Sequence, residues 1–381
     1  MRVFVIAGEA SGDKLGAALM AGLRKHAGDV TFEGIGGDRM IDEGLQSLFP
    51  MDEISIMGIT EILSQYRHLK ARIRQTAEAV LAARPDVLVT IDLPEFSLRV
   101  ARLVKAQSDI RTVHYVAPTV WAWRPGRAKK MAAHIDQVLA LLPFEPPYME
   151  AAGMRCDFVG HPVVTDPVAS TDDIKTFRAG QGLGEAPLIL ILPGSRRSEV
   201  SRLLPVFGEV VGKLHTQRPD LRFVLPAAPN VASIVAEAVT TWPIKPIILN
   251  PSVDGMAAKH AAFAAADVAL AASGTVSLEL AATNTPMVIA YDMNWLSRQI
   301  IGRMLRVDTV TLVNLVSDTR AIPEFIGANC QPGPISDAVL ATLDNPEAQR
   351  SAMKLTMERL GKGGVPPGER AALAVLDGLK K

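Results

Sequence analysis

Two stretches of this chain carry the residue types that hold a phosphorylated ligand: LPGSRRSEV at Leu192–Val200 and ASGTVSLELA at Ala272–Ala281. Each is an apolar run that breaks into small, hydroxyl-bearing residues and then takes on the composition of a helix start. Backbone N–H groups at a helix N-terminus point at anions, and the aligned peptide dipoles add about half a positive charge there. Gly194 and Ser195 shape the first turn, and Arg196 and Arg197 bring full charges to it. In the second, Ser273, Gly274 and Thr275 allow close approach of backbone to ligand, and Glu279 can accept hydrogen bonds from ribose hydroxyls. Either turn alone is equally an ordinary strand-to-helix connection. Together they suit the pyrophosphate and ribose of one nucleotide.

A second set could carry the reaction itself. In VLVTIDLPEFSLRVA, Asp92 follows directly on an apolar run and Glu95 stands near a helix start. A carboxylate at the C-terminal end of a strand can take a proton from a hydroxyl nucleophile, general-base catalysis worth roughly 10²–10⁴-fold. The competing reading is helix capping by Asp92 or Glu95. The opening AGEASGD places Gly8, Glu9, Ser11 and Gly12 in a strand-to-helix turn that Ser11 or Asp13 can cap. A further glycine-rich turn, GIGGDRM, follows at Gly34–Met40. HYVAPTVWAWRPGR holds Trp121 and Trp123 ahead of Arg124 and Arg127, which reads either as a sugar or acyl lining or as a packed loop. FVGHP places His161 at an expected hinge, and VTLVNLV offers Asn314 as a neutral hydrogen-bonding group in an apolar setting. Glu61 precedes a stretch with Arg67, His68, Lys70, Arg72 and Arg74 among Leu63, Leu69 and Ile73. That pattern is a solvated helix face or an interfacial membrane contact.

The elements that must position these residues alternate between short apolar runs and helical patterns, the βαβ signature of a parallel sheet. Strands are expected at Val3–Ala7, Thr31–Gly34, Val87–Ile91, Thr112–Val116 and Gln137–Leu141, with helices near Asp13–Lys25, Arg67–Ala83 and Phe96–Gln107. After a break near His161–Thr171 the scheme restarts. Strands follow at Leu188–Leu192, Arg222–Pro226, Ile247–Leu249, Val268–Ala271 and Met287–Ala290. The helices between and after them fall at Val200–Gln217, Val231–Thr240, Gly255–Ala266 and Val276–Thr283. The expected fold is therefore α/β, two Rossmann-like doubly wound parallel-sheet domains facing a cleft. Their spans are 1–165 and 166–350, with a tail and helix over 351–381.

Composition narrows the function. With 381 residues and 48% hydrophobic content the chain can build two cores. Forty basic and forty acidic residues balance, so broad attraction to nucleic acid is not expected. Two cysteines without a C-x-x-C give no zinc or disulfide framework. The first residues enter an apolar strand without a signal-peptide layout, and no run reaches the ~18 apolar residues of a membrane span. A cytoplasmic protein is expected. No G-x-G-x-x-G or P-loop stands at a strand end, which removes the usual support for NAD or ATP. Neither a metal nor another cofactor is expected. There is no Asp-x-Asp, so a leaving nucleoside diphosphate would be neutralised by arginine, Arg196 first, and backbone N–H groups.

The ordered set AGEASGD, MGITEI, IDLPEF, YVAPTVWAW, LPFE, FVGHP, LPGSR, ASGTVSLE and VNL resembles the lipid A disaccharide synthase family from about residue 3 to about residue 330. The resemblance implies an inverting glycosyltransferase of the GT-B fold. UDP-2,3-diacylglucosamine would donate its sugar to the 6-hydroxyl of 2,3-diacylglucosamine 1-phosphate (lipid X), giving a β-1,6 disaccharide 1-phosphate and UDP. It implies Asp92 as the catalytic carboxylate, Arg196 on the donor phosphate, Glu279 on the ribose and Asn314 at another donor-side position. The turns around Gly8, Glu9, Ser11, Gly12, Glu61, Trp121, Trp123 and His161 are then expected on the acceptor side. It further implies peripheral attachment to the cytoplasmic face of the inner membrane, for which the Leu63–Arg74 stretch is suited, and a homodimer. Two positions depart from the family pattern: Ser97 where many members have Asn, and Gly327 where Gln is frequent. The rivals to this reading are a UDP-N-acetylglucosamine 2-epimerase and a non-catalytic nucleotide-sugar or lipid-binding module.

Overall fold

Runs such as VFVIA, VALAA and LILIL are apolar at every position, so both faces of their strands must be covered. The computed structural model describes residues 1–55, 66–123, 126–293 and 307–380, and meets that requirement in two units. The first comprises Met1–Thr165 with Gly363–Lys381, the second Asp166–Lys362.

In the first unit, β1 (Arg2–Ala7), β2 (Thr31–Ile35), β3 (Gln46–Ser47), β4 (Val87–Ile91), β5 (Arg111–Tyr115), β6 (Gln137–Ala140) and β7 (Arg155–Phe158) form one sheet. It is parallel throughout, in the order β3-β2-β1-β4-β5-β6-β7. The second unit holds β8 (Leu188–Leu192), β9 (Arg222–Pro226), β10 (Ile247–Leu249), β11 (Val268–Ala272), β12 (Met287–Tyr291) and β13 (Glu324–Ile326). Their order is β10-β9-β8-β11-β12-β13, again parallel. In each sheet the winding reverses beside the first strand, and such switch points are where doubly wound sheets bind ligands. Ala7 pairs with Ile91 at one of them and Leu192 with Ala271 at the other. The turn at Gly8 therefore leaves its sheet next to Asp92, and the turn at Gly194 next to Ser273.

Several elements go beyond the sequence expectation. The edge strands β3, β7 and β13 lack the apolar run of a central strand; β7 reads RCDF, with Arg155 bonded to Asp157 (2.8 Å). The first helix begins at Ala10, and neither Ser11 nor Asp13 caps it. Asp13 instead caps the helix Asp38–Asp42. Its Oδ1 accepts from the N–H groups of Gly37 (2.8 Å) and Met40 (3.1 Å), and its Oδ2 from that of Arg39 (3.1 Å). The GIGGDRM turn is thus tied to the first helix by one buried carboxylate.

The chain end returns to the first unit. Helix Pro367–Leu379 lies on helix Ala10–Ala27, where Gly22 faces Ala372 and Gly368 faces Ala18 too closely for any Cβ at the glycines. Glu369 closes that contact with Lys25 and His26, both at 2.8 Å. Among the described residues no helix is long and apolar enough to cross a membrane.

Strand packing gives one sharp expectation. Gly34 has φ +148°, and a Cβ there would fall 1.8 Å from the carbonyl oxygen of Val5 on the neighbouring strand. Gly34→Ala is expected to lower stability by about 2 kcal/mol. Thermal unfolding followed by circular dichroism checks it, and an unchanged midpoint would show that the β1–β2 pair can part without penalty.

Candidate active site

The switch point of the first unit aims a carboxylate. Asp92 extends the ladder beyond β4, its N–H donating to Tyr115 O at 2.9 Å. The backbone then turns left-handed twice, at Asp92 (φ +49°) and Leu93 (φ +46°), before Pro94 opens the helix Pro94–Lys105. Asp tolerates that region through its short polar side chain, whereas Leu does so at a cost on the order of 1 kcal/mol. Three features hold the turn. Ser97 Oγ donates to Asp92 O (2.9 Å), and the N–H groups of Phe96 and Ser97 donate to Leu93 O (3.0 and 2.9 Å). The Leu93 side chain rests where Gly8 has none; a Cβ at Gly8 would lie 2.3 Å from Leu93 Cδ2. Gly8 and Ser97 are therefore the supports of Asp92, and the departure at Ser97 falls on one of them. Burial raises the Asp92 carboxyl above its ordinary value, with the Leu93 N–H acting in the opposite sense.

The neighbouring candidates divide. Gly12 is buried against Ala7 and Ile91 and serves helix-to-sheet approach; Glu9 is the half-buried N-cap of the first helix, and Ser11 is exposed. Glu95 is a helix-surface residue beside Arg99 (3.3 Å) and Arg127 (3.4 Å). Trp121 belongs to a packed loop. It meets Phe144 edge-on at 5.1 Å, and its indole N–H donates to Glu145 Oε1 at 3.4 Å. Glu145 Oε2 accepts from Leu142 N (2.9 Å), and burial pushes this carboxyl up to about 7. The motifs YVAPTVWAW and LPFE thus close on each other. Trp123 is half-buried and donates to Thr119 Oγ1 (3.2 Å); His161 Nδ1 accepts from Val163 N (3.2 Å) where the first unit ends.

Glu61, Leu63 and Arg124 lie outside the described residues. In the helix Tyr66–Ala83 that follows, Leu69 and Ile73 point into the core, which corrects their reading as a membrane-facing stripe. Tyr66, Arg67, His68, Lys70 and Arg74 are among its exposed residues, with Gln75 and Glu78, while Arg72 pairs with Glu53 and stacks 4.4 Å from the Phe49 ring.

The second unit carries a cavity of about 280 Å³ at its switch point, lined by Gly194, Ser195, Ser273, Gly274, Thr275 and Glu279 among others. Both glycines have left-handed φ, +108° at Gly194 and +148° at Gly274. Sequence reading missed further members of the lining: Glu199, Met256, Lys259, Phe263 and the Pro226–Pro229 segment. Glu199, in the first turn of the helix Arg197–Gln217, reaches back to accept from Ser195 N (3.2 Å), and its carboxylate fills the notch over Gly194. Asn230 Nδ2 steadies the same turn through Ser195 O (2.8 Å). Arg196 is exposed at the N-cap, where its charge acts on Glu199 and on the Tyr291 hydroxyl. Lys259 Nζ lies 2.7 Å from Glu279 Oε2. The signal for it was the spacing of Met256, Lys259 and Phe263, which puts all three on one helix face.

Asn314 is not brought to this cavity. It is buried with both amide ends engaged: Oδ1 accepts from Ile322 N (3.0 Å), and Nδ2 donates to Ile322 O (3.0 Å) and Thr309 Oγ1 (3.2 Å). Its place in the fold is that of a pin for the 309–322 segment.

Two Rossmann-like units, each with a strand-to-helix turn at its switch point and the second with a cavity there, define the GT-B class. Solved structures share this fold over the whole chain. UDP-GlcNAc 2-epimerase from Neisseria meningitidis, bound to UDP-GlcNAc, aligns with a TM-score of 0.65 at 14% identity, covering 100% of each chain. Acinetobacter baumannii MurG gives 0.56 at 13%, covering 100% of this chain and 99% of that one. The chain belongs to the lipid-A-disaccharide synthetase family, whose model matches residues 3–370. It is 63% identical to the lipid-A-disaccharide synthase of Ruegeria pomeroyi, over 100% of this chain and 96% of that one. Against the Rhodospirillum centenum enzyme of the same name it is 48% identical, over 100% and 95%.

Proposed function

We propose that this chain transfers 2,3-diacylglucosamine from UDP-2,3-diacylglucosamine to the 6-hydroxyl of 2,3-diacylglucosamine 1-phosphate, with inversion. The products are the β-1,6-linked disaccharide 1-phosphate and UDP. The observation that carries the reading is Asp92, a carboxylate aimed by a strained turn at a switch point, in a chain of this family. Asp92 takes the proton of the acceptor hydroxyl as it attacks the anomeric carbon. The donor's UDP lies in the second unit's cavity, with Glu279 on the ribose. Arg196 and the backbone N–H groups of the Ser273–Thr275 turn stabilise the departing diphosphate. The first unit, Met1–Thr165, is the acceptor side and Asp166–Lys362 the donor side.

Both substrates are acylated, so the protein works at a membrane surface, the cytoplasmic face of the inner membrane, without spanning it. The exposed cations Arg67, Lys70 and Arg74 support contact with anionic head groups. It needs no nucleic acid partner, and a homodimer is part of the reading.

The test is turnover by the purified chain with both lipid substrates in detergent and EDTA. Acceptor-dependent disaccharide and UDP are the expected products. UDP release without disaccharide, or a free N-acetylmannosamine product, would overturn the proposal in favour of hydrolysis or epimerisation.

A further inference from the structure

A carboxylate that binds ribose hydroxyls beside a diphosphate faces two difficulties. It must hold one orientation, and its negative charge must not repel the ligand. Within the second unit both are addressed by one residue. Lys259 Nζ lies 2.7 Å from Glu279 Oε2, while Glu279 Oε1 has no hydrogen bond among the described residues. The ammonium also sits 5.0 Å from the centre of the Phe263 ring, itself buried and one helical turn further along. Neither side chain of the pair is widely open to solvent, at 27% for Lys259 and 38% for Glu279. Lys259 lies on the helix Pro251–Ala265, which is interrupted at Gly255 (φ +76°), and the stretch beyond that break presents Met256, Lys259 and Phe263 to the cavity.

We propose that Lys259 is the positioning residue of the nucleotide site: it clamps Glu279 by one oxygen and leaves the other to receive the ribose hydroxyls. The inference rests on the donor-pocket reading above and deepens it. Lys259 sets the preference for a ribonucleoside over a deoxyribonucleoside diphosphate through Glu279. A phosphate-binding lysine would strengthen both ligands alike, and a merely structural ion pair would alter neither.

The experiment is titration calorimetry of the full chain with UDP and with 2′-deoxy-UDP. The wild type is expected to bind UDP more tightly than the deoxy analogue. Lys259→Met is expected to weaken UDP roughly tenfold, equivalent to about 1.4 kcal/mol, and to weaken the deoxy analogue, which keeps only the 3′-hydroxyl, severalfold less, so that the preference narrows. Lys259→Arg should restore most of it by keeping a cation on Glu279. Equal weakening of both nucleotides by Lys259→Met, or an unchanged preference, would overturn the inference while leaving the donor pocket intact. A wild type that binds no UDP would overturn the donor reading and this inference with it. Thermal melting of each variant, and Lys259→Gln as a second neutral variant, separate lost clamping from lost folding.

Discussion

Asp92→Asn is expected to lower turnover by roughly 10²–10⁴-fold, the range a positioned general base contributes, and to melt higher than the wild type at neutral pH. The two effects share one cause. Burial raises the Asp92 carboxyl above its ordinary value, so the folded state favours the protonated form. A group shifted in this direction contributes stability below the ordinary carboxylate range, and that contribution is lost as pH rises through the raised value. At neutral pH the ionised carboxylate is a burden on the fold, carried for its basicity. Asn is neutral and tolerates φ +49°, so it removes the burden without releasing the turn. The melting difference should vanish below the ordinary carboxylate range, where Asp92 is protonated in both states. In the wild type, kcat/KM should fall on the acid side with an apparent pKa above that of a free aspartate. Rate and melting profiles across pH test both halves. Retained turnover in Asp92→Asn would remove the residue from the chemistry; a lower melting point would make it a structural cap.

Arg196→Ala is expected to reduce kcat/KM by about 10²–10³-fold and to weaken product inhibition by UDP. Arg196 stands exposed at the start of the helix Arg197–Gln217, beside the cavity turn Gly194–Ser195. Glu199 already holds the Ser195 N–H just ahead of that helix, which removes one donor from a developing diphosphate. The positive charge of Arg196 supplies what that donor no longer offers. Arg197, one residue on and equally exposed, serves as the control, and its alanine variant should keep near-normal kinetics. Steady-state kinetics with UDP as inhibitor decide the matter. Equal effects at both arginines would reduce the contribution to general attraction, and unchanged kinetics at Arg196 would end its assignment.

The sequence by itself determined the local matters: uniformly apolar strands such as VFVIA and LILIL, the helices between them, the prolines that punctuate both, and the motifs at the strand ends. These follow from side-chain periodicity and backbone propensity, which act between near neighbours in the chain. It also placed Asp92, Gly194 and Ser273 at the ends of strands and Glu279 in the helix that follows, because the change from apolar run to small polar turn is written in consecutive residues. Strand order was not written there. Only the tertiary structure set Ala7 against Ile91 and Leu192 against Ala271, and so brought each pair of turns to one switch point. Roles that depend on a distant partner were decided in the same way. Asp13 caps a helix starting 25 residues on, Trp121 closes on Glu145, Asn314 spends its amide on Ile322, and Leu69 and Ile73 turn inward. Lys259 looks like any helix-surface lysine until the fold sets Glu279 2.7 Å away. A side chain's type fixes which bonds it can make; the packing of elements far apart in sequence fixes which of them it makes.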